Sequence, residues 1–266
     1  YPVYFLFNNR CSINANAGAN NVTLTALTGN IAGPSNLVKA SALNAVAVTG
    51  IDLDTDVDSV TAVTSGTGAV TLDETNAVTL TNVTSNDGNV TVTAAGQMDV
   101  TYVEAQGTGR DVTLTTTTGD INVEMARALD DAMKLVSAGA ILESGSDAAA
   151  DLTASDIDLK AVSGIGTVAN PLEVHFTGST LIASNSGTGD IVINATSVDT
   201  LSLLDADVTG AGRIMINLLS DQAFNIDSPN ITTSNGSITL TSRSDLNVNG
   251  NITSGGTNAG VTLTAD

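Results

Sequence analysis

Ser237-Ile-Thr-Leu-Thr-Ser242 is followed by Asp245-Leu-Asn-Val248, the turn Asn249-Gly-Asn251, and Ile252. Ile238 and Leu240 alternate with Thr239 and Thr241, the period-two pattern of a strand with one buried face. Asn and Gly between the runs tolerate the positive φ that sharp corners demand. One unit therefore holds two or three short strands separated by corners. The same opening phrase returns as Gly260-Val-Thr-Leu263, Arg213-Ile-Met-Ile216 and Asp190-Ile-Val-Ile193, with starts 23, 24 and 23 residues apart.

Earlier in the chain the phrase reads Asn21-Val-Thr-Leu24, Ala45-Val-Ala-Val48, Ala69-Val-Thr-Leu72, Asn89-Val-Thr-Val92, Asp111-Val-Thr-Leu114 and Asp156-Ile-Asp-Leu159. Starts at 21, 45 and 69 are 24 residues apart, and those at 89 and 111 follow after 20 and 22. A period in the twenties with strand content in each unit is the signature of stacked coils. An antiparallel sandwich or barrel would instead show hairpin signals every 8–12 residues and no long repeat. The expectation is an all-β fold, a right-handed parallel β-helix of roughly 11–12 coils. At ~4.8 Å per coil the rod is roughly 50–60 Å long. Outward threonines should stack in ladders along it. Residues 1–20 read as an N-terminal cap or interaction segment, and 21–266 as the repeat domain.

Charge narrows the partners. The 266 residues carry 28 acidic and 8 basic side chains, a net charge of −20. That opposes binding to nucleic acid, where Lys and Arg must replace counterions, and opposes docking on an anionic membrane surface. No run of 18 apolar residues suggests a membrane-spanning helix, so no membrane insertion is expected. An apolar content of 42 %, recurring at strand spacing, separates the chain from a disordered one. The single cysteine, Cys11, has no partner for an internal disulfide, which a long β-helix core does not need. Tyr1 is not Met, and Thr264-Ala-Asp266 follows the opening of a new repeat, so the sequence reads as a piece of a longer protein.

One stretch admits two readings. Val123-Glu-Met-Ala-Arg-Ala-Leu-Asp-Asp-Ala-Met-Lys-Leu-Val136 carries apolar positions at 125, 129, 132, 133 and 136, which suits an amphipathic helix. Its neighbours, Asp120-Ile-Asn-Val123 and Ser137-Ala-Gly-Ala-Ile-Leu142, favour strand continuation.

Residues 133–194 carry a more specific pattern: Asp156-Ile-Asp-Leu-Lys-Ala-Val-Ser-Gly-Ile-Gly-Thr-Val-Ala-Asn-Pro-Leu-Glu-Val174, then Leu181-Ile-Ala and Gly189-Asp-Ile-Val-Ile193. This resembles the repeats of large secreted bacterial adhesins of the filamentous-haemagglutinin type. The resemblance implies a right-handed parallel β-helix at the bacterial cell surface or beyond it. It implies no particular adhesion target, whether a host or cell-surface glycan or protein.

Candidate sites are few. Asp52, Asp54, Asp56 and Asp58 alternate along a strand-like run, so their carboxylates project from one outer face about 7 Å apart. They are weak candidates for a divalent cation, because calcium wants six to eight oxygens from a curled loop with Gly at the bend. No other cofactor is expected. His175, the one histidine, should point outward beside Glu173, since Leu172, Val174 and Phe176 share the opposite face. Asn-x-Ser/Thr triplets at Asn21, Asn82, Asn89, Asn194, Asn230, Asn235 and Asn251 follow from Asn- and Thr-rich corners and faces. Tyr1, Tyr4, Phe5 and Phe7 are four of the seven aromatics, and form either a cap or a strand that docks on another copy by β-augmentation. Such head-to-tail contacts do not close and give filaments.

Three functions compete at this point. They are an extracellular structural or adhesive rod that assembles end to end, a cation-dependent surface-layer protein, and a carbohydrate-active β-helix enzyme. The last needs clustered carboxylates and aromatic platforms for sugar rings. With no Trp, three Tyr, and basic residues scattered singly from Arg10 to Arg243, a non-enzymatic rod is the expectation.

Overall fold

Strands form where β-branched residues alternate with Thr, Asn or Asp, and they pair with the equivalent residues one coil away. In a computed structural model, which describes residues 13–14, 20–257 and 259–266, Val70–Glu74, Val90–Ala94 and Val112–Thr116 lie side by side in parallel. Val70, Val90 and Val112 stack in register, as do Leu72, Val92 and Leu114 inside the core. Between them Thr71, Thr91 and Thr113 stack on the outer face, forming the expected threonine ladder. Every strand pairing among the described residues is parallel, and the chain stacks as an all-β solenoid of about 11 coils without a helix.

A single coil lays down three short segments. One coil uses Val90–Ala94, Met98–Val100 and Val103–Ala105. Its successor uses Val112–Thr116, Ile121–Val123 and the start of Ala126–Val136. Their inward side chains form one continuous core from Val22 to Leu240, with Phe176 and Phe224 its largest fully buried members. Ile13–Asn14 pairs with Val38 and Lys39 of Ile31–Ala47, so β pairing begins ahead of residue 21. Tyr1, Tyr4, Phe5, Phe7 and Cys11 lie outside the described residues.

The recurring phrase does not occupy a single face. Its copies at 69–72, 89–92, 111–114 and 156–159 belong to one column, through the intervening Ala132-Met-Lys-Leu135. The copies at 190–193, 213–216, 237–240 and 260–263 belong to a second column, continuous with Ile141 and Ile165. Asn21–Thr25 stacks on Ala42–Val46 in a part of the coil different from Val70–Glu74. The change of column explains why the spacing breaks between 156 and 190, whereas the even steps from 21 to 45 to 69 join copies that do not stack on one another.

The ambiguous stretch is strand. Ala126–Val136 buries Ala126 and Ala128 before a corner, and Met133 and Leu135 after it. The corner is a bulge in which Asp130 adopts φ 64°, and Leu129 is exposed there. Of the apolar positions at helical spacing only Met133 is buried; Met125 and Val136 are half-buried, and Leu129 and Ala132 lie exposed at the corner.

Close stacking leaves no room at some corners. A Cβ on Gly212 would lie 2.0 Å from the Gly189 carbonyl oxygen, and one on Gly236 would lie 1.9 Å from that of Gly212. Gly29, by contrast, has nothing within 4 Å. Gly212→Ala should lower stability by about 1–3 kcal/mol through overpacking. Gly29→Ala should stay within about 0.5 kcal/mol of the parent in the same denaturant titration. Equal effects at the two positions would contradict the stacked-corner geometry.

Candidate functional site

The aspartate run lies where alternation places it. Ile51, Leu53 and Val57 are buried while Asp52, Asp54 and Asp56 face outward at intermediate exposure and Asp58 is exposed. Two of the four are engaged. Asp54 accepts the Ser35 N–H at 2.8 Å, and Asp56 pairs with Lys39 and accepts from Asn76 Nδ2. Burial and the facing Asp54 and Asp73 carboxylates push the Asp52 carboxyl up from its ordinary value. His175 also faces outward, with Nδ1 2.9 Å from Thr196 Oγ1, while Leu172, Val174 and Phe176 are buried.

Among the described residues, three carboxylates converge elsewhere: one oxygen each from Glu143, Asp151 and Glu173 lie within 4.8 Å of one another. The backbone explains how. Glu143 ends Ile141–Glu143, whose register places it over Val123, and through Val123 over Val100 and Leu80. All three of those are buried and apolar, so Glu143 sits at an inward position of the stack. It is 8 % exposed. A seven-residue excursion, 144–150, then leaves the coil, and Asp151 follows at its end, 4 % exposed. Asp151 is hydrogen-bonded to the next coil in both directions: its N–H donates to the Glu173 carbonyl at 2.9 Å, and its Oδ2 accepts the Glu173 N–H at 2.9 Å.

A second excursion, 166–171, precedes Glu173 in the adjacent coil. Gly166, at φ 58°, starts it where a Cβ would meet the Val192 carbonyl oxygen at 2.3 Å and the Leu172 nitrogen at 2.7 Å. Thr167 and Asn170 close it through reciprocal backbone hydrogen bonds. Asn170 Nδ2 donates to the Gly145 carbonyl at 2.9 Å, tying the two excursions together. Thus the Gly-Ile-Gly-Thr…Asn-Pro-Leu segment braces the loop that brings Glu143 and Asp151 together.

Each of the three carboxyl groups has one oxygen committed to a donor. Glu143 Oε1 takes the Asp147 N–H at 3.0 Å, and Glu173 Oε1 takes Asn194 Nδ2 at 3.2 Å. Asn194 Oδ1 in turn accepts from Asn217 Nδ2 at 3.0 Å, so a polar ladder running down the outer face ends at Glu173. The second oxygens, Glu143 Oε2 and Glu173 Oε2, are buried and without a hydrogen-bond partner. Among the described residues no Lys or Arg forms an ion pair with any of the three groups.

Three ionised carboxylates at this separation repel by about 3 kcal/mol per pair at an effective dielectric of about 20. The cluster must therefore take up positive charge. Burial, reinforced by Glu143, Glu173 and Asp147, pushes Asp151 from 3.8 up to about 8. Burial likewise raises Glu173. None of this was evident in the sequence, where Ile141-Leu-Glu143 does not declare which side chain points inward. The available signal was Glu143-Ser-Gly-Ser-Asp147 followed by Asp151, an oxygen-rich loop with Gly at its bend.

No protein-family model, no curated protein and no solved structure matches the chain.

The proton on Asp151 fixes a pH dependence in chelating buffer. The folded chain holds it up to about pH 8, the unfolded chain only to the ordinary value of 3.8. Folded protein binds the extra proton between those limits, so this stabilisation is complete below them and is lost as pH rises through the window. The urea midpoint should fall between pH 5 and 8, and Asp151→Asn should flatten the decline. A parent midpoint that rises across this range would overturn the assignment.

Proposed function

We propose that the chain is an extracellular structural or adhesive rod of the filamentous-haemagglutinin type, joined end to end into a fibre at a bacterial surface. The observation that carries this reading is the partition of side chains. Aliphatic groups fill a core that extends along the stack, while Thr, Asn and Asp ladders cover the outer faces. A solenoid of this kind gains length by adding coils, each needing only its neighbours. Its ordered polar ladders present a repeating surface suited to contact with a host or cell-surface glycan or protein. The sequence pattern at 156–193 supports the family and the location.

Assembly follows from the same construction. We assign the contact between copies to residues 1–7, whose Tyr1, Tyr4, Phe5 and Phe7 supply apolar area for strand addition.

A second reading, the cation-dependent surface-layer protein, draws on the Glu143–Asp151–Glu173 cluster, and predicts a flat lattice in calcium in place of fibres.

Electron microscopy of the purified chain separates these outcomes. Fibres should form, and deletion of residues 1–7 should leave isolated rods whose β-sheet circular dichroism matches the parent. Fibres that survive the deletion would remove the N-terminal segment from the assembly. A two-dimensional lattice would favour the second reading.

A further inference from the structure

We propose that Glu143, Asp151 and Glu173 form a calcium site that locks the 144–150 excursion onto the coil above it. The proposal stands apart from the rod reading, because it concerns the integrity of one coil junction and not what the rod adheres to.

Convergence of acidic groups alone would not carry it. The independent observation is Glu143 Oε2: it belongs to a side chain only 8 % exposed, occupies a position that coils below fill with Val123, Val100 and Leu80, and has no hydrogen-bond partner. A carboxylate in an apolar column is costly unless it is paired or coordinates a metal. Glu173 Oε2, on the facing coil, is buried and unpartnered as well. Each group meanwhile spends its other oxygen on an N–H donor that fixes the carboxyl plane. Such outer partners orient ligands in metal sites.

The donor chemistry selects the ion. All three groups offer oxygen only, which suits a hard cation and disfavours zinc or copper. Calcium accepts six to eight oxygens in irregular geometry, while magnesium demands a strict octahedron. The excursion carries Ser144, Ser146 and Asp147, with Gly145 at its bend, and returns to the cluster through the Asp147 N–H on Glu143 Oε1. Gly145 is held in place by Asn170. An oxygen-rich loop joined to three oriented carboxylates fits the larger ion.

The test uses the whole chain, with calcium chloride as the probe. Equilibrium dialysis should find a site with a Kd of about 10⁻³ M or tighter, the range of extracellular calcium modules. Calcium at about ten times Kd should raise Tm by about 3–5 °C over chelating buffer. Magnesium at the same concentration should give less than half that shift. Glu143→Gln and Asp151→Asn should each weaken calcium binding at least tenfold and abolish the Tm shift. In chelator Glu143→Gln should melt no lower than the parent, since it removes a buried charge; this separates a lost site from a lost fold. Asp58→Asn, in the exposed aspartate run, should retain both binding and shift.

Three results would overturn the proposal. One is a parent chain with the same Tm in calcium and chelator and no saturable binding. Another is binding that Asp58→Asn removes while Glu143→Gln retains it. The third is a calcium shift that persists in both Glu143→Gln and Asp151→Asn.

Discussion

Backbone hydrogen bonding between successive coils is the constraint from which everything else in this molecule follows. Among the described residues, each strand's N–H and C=O groups pair with a strand about twenty residues away in the chain. A coil in isolation would leave those groups unsatisfied, a cost that buried backbone does not tolerate. Alternation then sorts side chains, so whatever stands at an inward position is stacked on its counterparts above and below. Apolar ladders, threonine ladders and close glycine corners are three consequences of one register.

The same register gives the carboxylate cluster its character. Glu143 is buried because its column is buried, not because anything local favours a carboxylate there. Asp151 and Glu173 are neighbours because their coils are adjacent, though 22 positions separate them in the chain. The solenoid thus converts residues distant in sequence into a compact group of like charges, and the two excursions hold that group at the edge where the loop closes over it.

Much of the architecture was legible from the residues. Val70–Glu74 and Ser237–Ser242 alternate so regularly that strand, face and period follow at once. Positions 123–136 were harder, because a corner at Asp130 shifts the phase and mimics helical spacing. That the recurring phrase sits on two faces was invisible, since neighbouring faces of a coil demand the same local pattern. The outward direction of Asp52, Asp54 and Asp56 could be read from alternation, but their engagement by Lys39, Asn76 and Ser35 depends on adjacent coils. The Glu143–Asp151–Glu173 group lay beyond local reading for that same reason. Its members become neighbours only once coil phase is known, and an excursion of seven residues hides that phase.

The two excursions also define how such a chain can change over generations. Within a column, loss or gain of a single residue reverses the side chains that follow unless a bulge absorbs it, as at Leu204, after which Ala206 and Val208 are again buried. Duplication of a complete coil preserves all contacts and merely lengthens the molecule. Segments 144–150 and 166–171 stand outside the stack, so they can absorb insertions of any length without shifting the frame of the strands that follow. Variation in this protein should therefore come as whole-coil steps along the axis, single residues taken up at bulges, and free length at these two loops.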